Sequence, residues 1–179
     1  CGFSFQYPEV VEATLRVLQR SGCAVTVLNN TCCGRPAHAY GDLEAARDIA
    51  RKNIERLAPA MTMDAVVSEC GSCSTHLKDY GQLLKDDPVY AEKAAALAKK
   101  IQSFSEFLVA AGWAGELGTL SGTVTYHDPC FLGKQNTVFD EPRALRAARK
   151  ADVVITVHGQ INHKEGFVMV GGLNVSLRS

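Results

Sequence analysis

Short runs of β-branched residues alternate along this chain with segments whose apolar residues recur at helical spacing. This alternation is typical of an α/β fold, in which helices flank a mainly parallel sheet. Residues 112–122 are rich in glycine, show no periodicity and mark a domain boundary. The predicted strands are residues 23–28, 64–68, 123–127 and 152–157, and the predicted helices are residues 8–22, 42–57, 74–84, 88–111 and 141–150.

Cysteines follow the predicted strands at the point where each strand ends. In chain order they are Cys1, the pair Cys32 and Cys33, the pair Cys70 and Cys73, and Cys130. The first residue is not methionine, so we expect a fragment or a processed chain in which a strand precedes Cys1. Ligands of open parallel sheets gather beyond the carboxyl ends of the strands, so we expect these cysteines to converge on one edge of the sheet.

The composition argues against several classes of protein. Nineteen basic residues balance nineteen acidic ones, so neither a nucleic acid nor an acidic membrane surface is indicated as a partner. The apolar runs fall short of the ~20 residues that a membrane-spanning helix needs, and no secretory signal is visible. The seven cysteines therefore indicate reduced thiols in the cytoplasm, with any membrane association made through partner subunits.

Five of the cysteines have the spacing of ligands for a soft metal centre. Two thiols separated by two residues, as in Cys70 and Cys73, hold one small centre, and the start of a helix favours their thiolate forms. Thiolates prefer zinc, copper(I) or iron–sulfur centres, and five exceed the four that tetrahedral zinc or a cubane cluster needs. Two alternatives stay open here: a thioredoxin-type pair, and a structural thiol beside a bystander at Cys32 and Cys33.

The combined motif resembles the cysteine-rich domain family, also called CCG after its paired cysteines. The matching segments are "CCGRPAHAYGD", "SECGSCSTHLKDYG" and "VTYHDPCFLGKQN", and the resemblance extends from Cys1 to about Arg149. The family includes the cysteine-rich subunit of heterodisulfide reductase and the iron–sulfur subunits of lactate, glycolate and anaerobic glycerol-3-phosphate oxidation complexes. With Pro142, Arg143 and Leu145, the motif is most similar to the lactate and glycolate type.

The resemblance implies a 4Fe-4S cluster, non-cubane in well-studied relatives, held by a set of five cysteines. Carried over residue by residue, the set is Cys1, Cys32, Cys33, Cys70 and Cys73. Cys130 matches the first cysteine of a second copy of the motif, where it is either an orphan ligand or a cap on the first site. Some relatives keep zinc or no metal in that second module.

The tail after residue 151 departs from the family pattern because it contains no cysteine. Divergence, truncation or a reading-frame error would each produce such a tail. We predict a first cysteine-rich module at residues 1–115 and an incomplete or diverged second module at residues 123–179.

Other residues near the motif receive weaker expectations. His38 is expected in a loop and His76 on an exposed helix face, while His127 is expected to pack near the site. Gly34 and Gly71 fit tight turns that bring the backbone close to sulfur. Cys23, inside a predicted strand, is expected to be an ordinary core residue, and Arg35 either offsets cluster charge or is solvated. His158 and His163, in the tail, receive no role.

Three functions remain open from the sequence. The first is an iron–sulfur electron-transfer subunit of a 2-hydroxy acid oxidoreductase, with flavin- or iron–sulfur-containing subunits as partners. Chemistry on the hydroxy acid would belong to a partner, since the chain has no G-x-G-x-x-G nucleotide motif. The second is a heterodisulfide reductase-like catalytic subunit. The third is a zinc-binding structural or assembly module, or a fragment that binds no metal stably.

Overall fold

The structure is a computed structural model that describes residues 8–28, 31–113, 130–147, 155–156, 167–170 and 173–176. The chain divides into two compact units. Among the described residues, the first unit contains residues 26–28, 31–68 and 72–102. The second unit contains the described residues of 2–25, 69–71 and 103–179.

Helices predominate among the described residues, and the strands are short. The helices are α1 (Pro8–Arg20), α2 (Arg35–Ala39), α3 (Leu43–Arg56), α4 (Gly71–Lys78), α5 (Tyr80–Leu83), α6 (Ala91–Lys100), α7 (Phe104–Ala110) and α8 (Asp140–Ala147). The strands are β1 (Val66–Ser68), β2 (Ile101–Ser103), β3 (Ile155–Thr156), β4 (Phe167–Val170) and β5 (Leu173–Ser176). A 3₁₀ turn (Ala58–Thr62) follows α3, and a π-helical segment (Cys130–Gln135) precedes α8.

The strands form two sheets of different type. β1 and β2 pair in a small parallel sheet, which confirms the predicted α/β class. The other sheet has the order β3-β5-β4 and is antiparallel, so among the described strands the expected parallel arrangement holds for β1 and β2 alone. Val170 pairs with Leu173 across the two-residue sequence Gly171-Gly172, and a two-glycine connection is typical of an antiparallel hairpin.

The core of the first unit lies between α3, α4, α5 and α6. Asp42 caps α3, as predicted, because its Oδ1 accepts a hydrogen bond from the Ala45 N–H at 3.1 Å. The buried residues of this core are Cys33, Ala50, Ile54, Leu57, Leu77, Tyr80, Leu84, Ala94, Leu97 and Ile101. Because Cys33 belongs to this cluster, one of the predicted ligands is fixed to the packed core of the unit.

Two predictions of secondary structure are wrong. Residues 23–28 form no strand, and Val27 is 71% exposed, because a β-branched run becomes a strand only where a neighbour completes its hydrogen bonds. The helix predicted over residues 88–111 is interrupted by β2. Ser103 and Glu106 form a capping box there, in which each side chain accepts from the other's backbone N–H, and this starts α7 as a new helix.

The remaining predictions of secondary structure agree with the structure in part. The helices expected at residues 8–22, 42–57 and 141–150 are observed as α1, α3 and α8, and the strand expected at residues 64–68 as β1. The helix expected at residues 74–84 begins earlier and divides into α4 and α5. The strand expected at residues 123–127, with His127, lies outside the described residues. Of the helices in the described ranges, none combines the length and hydrophobicity needed to cross a membrane.

Candidate metal centre

Three of the predicted ligands lie together in the first unit. Cys32 and Cys33 precede α2, and Cys73 lies in the first turn of α4. Cys33 is 5% exposed, Cys73 is partly buried, and Cys32 is exposed to solvent. The structure thus brings these three thiols together, and their role as metal ligands stays a prediction.

The other three predicted ligands are less completely placed. Cys70 lies in the second unit and directly precedes α4. Cys1 lies outside the described residues, and Cys130 begins the π-helical segment with its side chain undescribed. Their participation in a metal centre therefore stays a prediction.

The pKa of the Cys33 thiol lies well below the ordinary value for cysteine. A hydrogen bond from the Cys73 thiol lowers the pKa of Cys33, and burial opposes this shift. The backbone N–H of Arg35 and the Cys32 side chain act with Cys73, and together they bring the pKa of Cys33 to about 6. Near neutral pH the sulfur of Cys33 is therefore largely a thiolate, which is the form that binds soft metals.

Backbone groups also contribute to the site. The Gly34 N–H donates a hydrogen bond to Cys32 Sγ at 3.5 Å. Gly34 has a φ of +86°, a left-handed conformation that confirms the predicted tight turn after the cysteine pair. This turn sends the chain from the cysteines directly into α2.

Asn53 holds the backbone of the cysteine pair, and sequence reasoning missed this residue. Its side-chain amide donates to the Cys32 carbonyl at 2.8 Å and to the Tyr80 hydroxyl at 3.0 Å. Its Oδ1 accepts from the Thr31 N–H at 3.1 Å and from the Thr31 hydroxyl at 2.8 Å. All four hydrogen-bonding positions of this fully buried amide are thus used. A polar residue on the apolar face of a predicted helix was the available signal.

Tyr80 holds the backbone of the second cysteine of the pair, Cys33. Its hydroxyl donates to the Cys33 carbonyl at 2.6 Å, and burial raises the pKa of Tyr80. Because the phenol stays protonated, it can keep donating to that carbonyl. Asn53 and Tyr80 therefore fix the two carbonyls of the Cys-Cys pair, and the thiols start from a preorganised backbone.

The predictions for two histidines are wrong. His76 is buried rather than exposed, and His38 lies in α2 rather than in a loop. The two ring centroids are 5.1 Å apart, and the edge of Tyr80 meets His76 at 5.5 Å. Burial, followed by the nearby charges of His38 and Arg35, lowers the pKa of His76 to about 4, so its ring is neutral at neutral pH. The predicted exposure failed because α4 is covered by the unit's own core, which helical spacing alone does not show.

The donor set suits a soft centre. The first unit brings together three sulfur atoms, one of them biased towards thiolate, and the sequence adds Cys70 one residue before α4. Among the described side chains, no group of three or more His, Cys, Asp or Glu residues surrounds a single metal position. The fit to thiolate coordination therefore rests on the chemistry of the donors and on the Cys33–Cys73 contact.

A direct test of the turn compares two glycines with nearly the same backbone conformation. Replacing Gly34 (φ +86°) or Gly41 (φ +84°) by alanine should lower the free energy of unfolding by roughly 1–2 kcal/mol in each case. A Cβ on Gly34 would also lie 3.2 Å from Ile49 Cγ2, whereas Gly41 faces open space. We expect urea unfolding to show Gly34→Ala to be less stable than Gly41→Ala by about 1 kcal/mol. Equal losses would show that the contact with Ile49 costs nothing.

Comparison with known proteins supports the class indicated by this site. The model of the family described as "Cysteine-rich domain" (CCG) matches residues 1–78. The resemblance seen in the cysteine motif is thereby confirmed over these residues, which make up somewhat less than half of the chain.

Several similar curated proteins share one name. The chain is 34% identical over 138 residues to lactate utilization protein A of Bacillus cereus, which covers 76% of this chain and 56% of that protein. It is 37% identical over 140 residues to the protein of the same name from Halalkalibacterium halodurans (75% and 56%). The Geobacillus kaustophilus protein of that name is 34% identical over 147 residues (81% and 60%). The chain thus spans somewhat over half the length of these relatives. No solved structure matches significantly.

The tail gives a different match. A model described as "Poly-gamma-glutamate hydrolase" matches residues 134–179, which include the cysteine-free region after residue 151. This match covers well under half of the chain, and we draw no function from it. It agrees with the observation that the cysteine-rich pattern is not completed in the tail.

Proposed function

We propose that this chain is an iron–sulfur electron-transfer subunit, or part of one, in a system that oxidises lactate or a similar 2-hydroxy acid. The observation that carries the proposal is the Cys33–Cys73 contact, in which one sulfur is biased towards thiolate beside a second thiol. The family match over residues 1–78 and the names of the relatives support it.

The proposed ligands are the five cysteines of the family motif. They are Cys1, Cys32, Cys33, Cys70 and Cys73, with Cys130 as a further candidate. A 4Fe-4S cluster bound there would supply one-electron transfer. The protein's contribution would be to present thiolates from a fixed backbone. Asn53 and Tyr80 do this through the carbonyls of Cys32 and Cys33.

Electron transfer needs partners, which we propose are oxidoreductase subunits that contain flavin or iron–sulfur clusters. The lactate-type substrate would be oxidised on such a partner. We place the complex in the cytoplasm, and any association with the membrane would come through the partner subunits.

Reduction under anaerobic conditions tests this function. Purified protein is treated with dithionite, and an electron paramagnetic resonance signal of a reduced iron–sulfur cluster is expected to appear and to vanish on mild oxidation. With a viologen donor and a disulfide substrate, no turnover is expected. Steady turnover would contradict the electron-transfer role and favour the heterodisulfide reductase-like alternative. Absence of any reversible signal would overturn the proposed function.

A further inference from the structure

His76 is a buried polar side chain for which the described part of the structure provides no hydrogen-bond partner. Its side chain is fully buried, and within the described residues neither Nδ1 nor Nε2 has a hydrogen-bonding atom in reach. Buried polar groups in proteins are nearly always satisfied by protein, by water or by a ligand. An imidazole with both nitrogens unpaired therefore indicates that something else occupies its surroundings.

The neighbouring rings do not provide the missing partner. His38 and Tyr80 contact the imidazole through their rings, at centroid distances of 5.1 Å and 5.5 Å. The Tyr80 hydroxyl is already engaged, since it donates to the Cys33 carbonyl and accepts from Asn53. Among the described residues, the imidazole thus has rings beside it and no acceptor for its N–H.

The position of His76 on α4 relates it to the cysteines. Residues three apart on a helix lie on the same side, so His76 and Cys73 share a face of α4. Cys73 contacts Cys33, and Tyr80, the ring that meets His76, holds the Cys33 carbonyl. His76 therefore lies on the side of α4 from which the thiols are presented.

We propose that His76 donates an N–H hydrogen bond to a sulfur atom of the centre held by Cys33 and Cys73, as a positioning residue rather than a ligand. This inference rests on the proposed function. Imidazole carries at least one N–H in either protonation state, so a donor is always present. Five cysteines are already proposed as ligands of the cluster, so the imidazole is not needed as a ligand. Hydrogen bonds to the sulfurs of an iron–sulfur cluster tune its reduction potential.

The inference is tested by isotope labelling combined with variants of both histidines. The full chain is purified anaerobically with ¹⁵N-labelled histidine, and the reduced protein is examined by pulsed electron paramagnetic resonance. A weak ¹⁵N coupling is expected in the wild type and in the matched control His38→Leu, and it should be absent in His76→Leu. The midpoint potential should become more negative in His76→Leu, because a donor that stabilises the reduced state is lost. His76→Gln, which keeps an N–H donor, should restore part of this shift.

Each outcome decides between the two proposals. Wild-type protein without iron or sulfide would overturn the proposed function and this inference with it. A normal cluster without histidine coupling, or a coupling that persists in His76→Leu, would overturn only this inference and indicate a buried water as the partner of His76. A strong coupling, typical of nitrogen bound to iron, would replace the hydrogen bond by direct ligation. If His76→Leu fails to fold, His76→Gln decides the question, because the weak ¹⁵N coupling should be absent there as well.

Discussion

Replacing Cys33 by serine is expected to abolish the iron–sulfur cluster or to alter it strongly, and Cys73→Ser should do the same. The two sulfurs are in hydrogen-bond contact, and that contact is the leading cause of the low pKa of Cys33. A serine hydroxyl is a hard donor that stays protonated at neutral pH, so it does not replace a thiolate at a soft centre. Iron and acid-labile sulfide per chain, measured on anaerobically purified variants, give the result directly.

Cys23→Ser is the matched control for these variants. Cys23 is another free cysteine, only partly buried, and it belongs to the second unit. Its replacement should leave iron and sulfide unchanged and cost packing stability alone, about 1 kcal/mol for a partly buried site. A cluster that is lost in Cys23→Ser and kept in Cys33→Ser would show that the ligand assignment is wrong.

Asn53→Leu is expected to lower the free energy of unfolding by about 2–4 kcal/mol. The leucine fills a similar volume, but it leaves the Thr31 N–H and the Cys32 carbonyl without their buried partner. Since each lost hydrogen-bond partner of a desolvated group costs about 1–3 kcal/mol, and these two groups are partly buried, the loss exceeds that of an ordinary surface change. Urea unfolding of the apo protein, followed by circular dichroism, measures it.

Two further variants distinguish the loss of the Asn53 hydrogen bonds from general effects of introducing a leucine. Lys52→Leu, at the exposed neighbouring position of α3, should change stability by no more than about 0.5 kcal/mol. Tyr80→Phe removes only the hydroxyl that donates to the Cys33 carbonyl. Its loss of stability should lie between those of Lys52→Leu and Asn53→Leu. If Asn53→Leu is as stable as Lys52→Leu, the proposed support of the cysteine backbone by Asn53 is wrong.

Local patterns predicted much of the fold. The bounds of α1 and α3 followed from apolar spacing and from Asp42 as a cap, both of which act within a few residues. The Ser103–Glu106 capping box was also visible in the sequence, although the prediction continued a helix through it. Features of this kind depend on neighbours along the chain, so a sequence pattern contains them.

Long-range contacts determined the features that the sequence did not predict. Residues 23–28 have the composition of a strand, yet they form none, because strand formation depends on a pairing partner elsewhere in the chain. His76 is polar and lies on a short helix, but the packing of the first unit buries it. The hydrogen bonds of Asn53 span 21 to 27 residues, a separation at which no local pattern identifies partners.

The features of the candidate site were likewise predictable from the sequence only in part. The cysteine spacing predicted which thiols would be close, and the structure places Cys33 against Cys73 in agreement with it. The spacing did not predict the roles of Asn53, Tyr80 and His76, because their relation to the cysteines arises only from packing. Cys1, Cys70 and Cys130 are assigned from the family motif, and their part in the centre stays a prediction.

The most direct test is the metal and sulfide content of wild-type protein purified without oxygen. About four irons and four acid-labile sulfides per chain, with little zinc, are expected if the five-cysteine set holds one 4Fe-4S cluster. One zinc per chain without sulfide would contradict this account and identify a structural thiolate site. A chain that contains neither metal would equally contradict it.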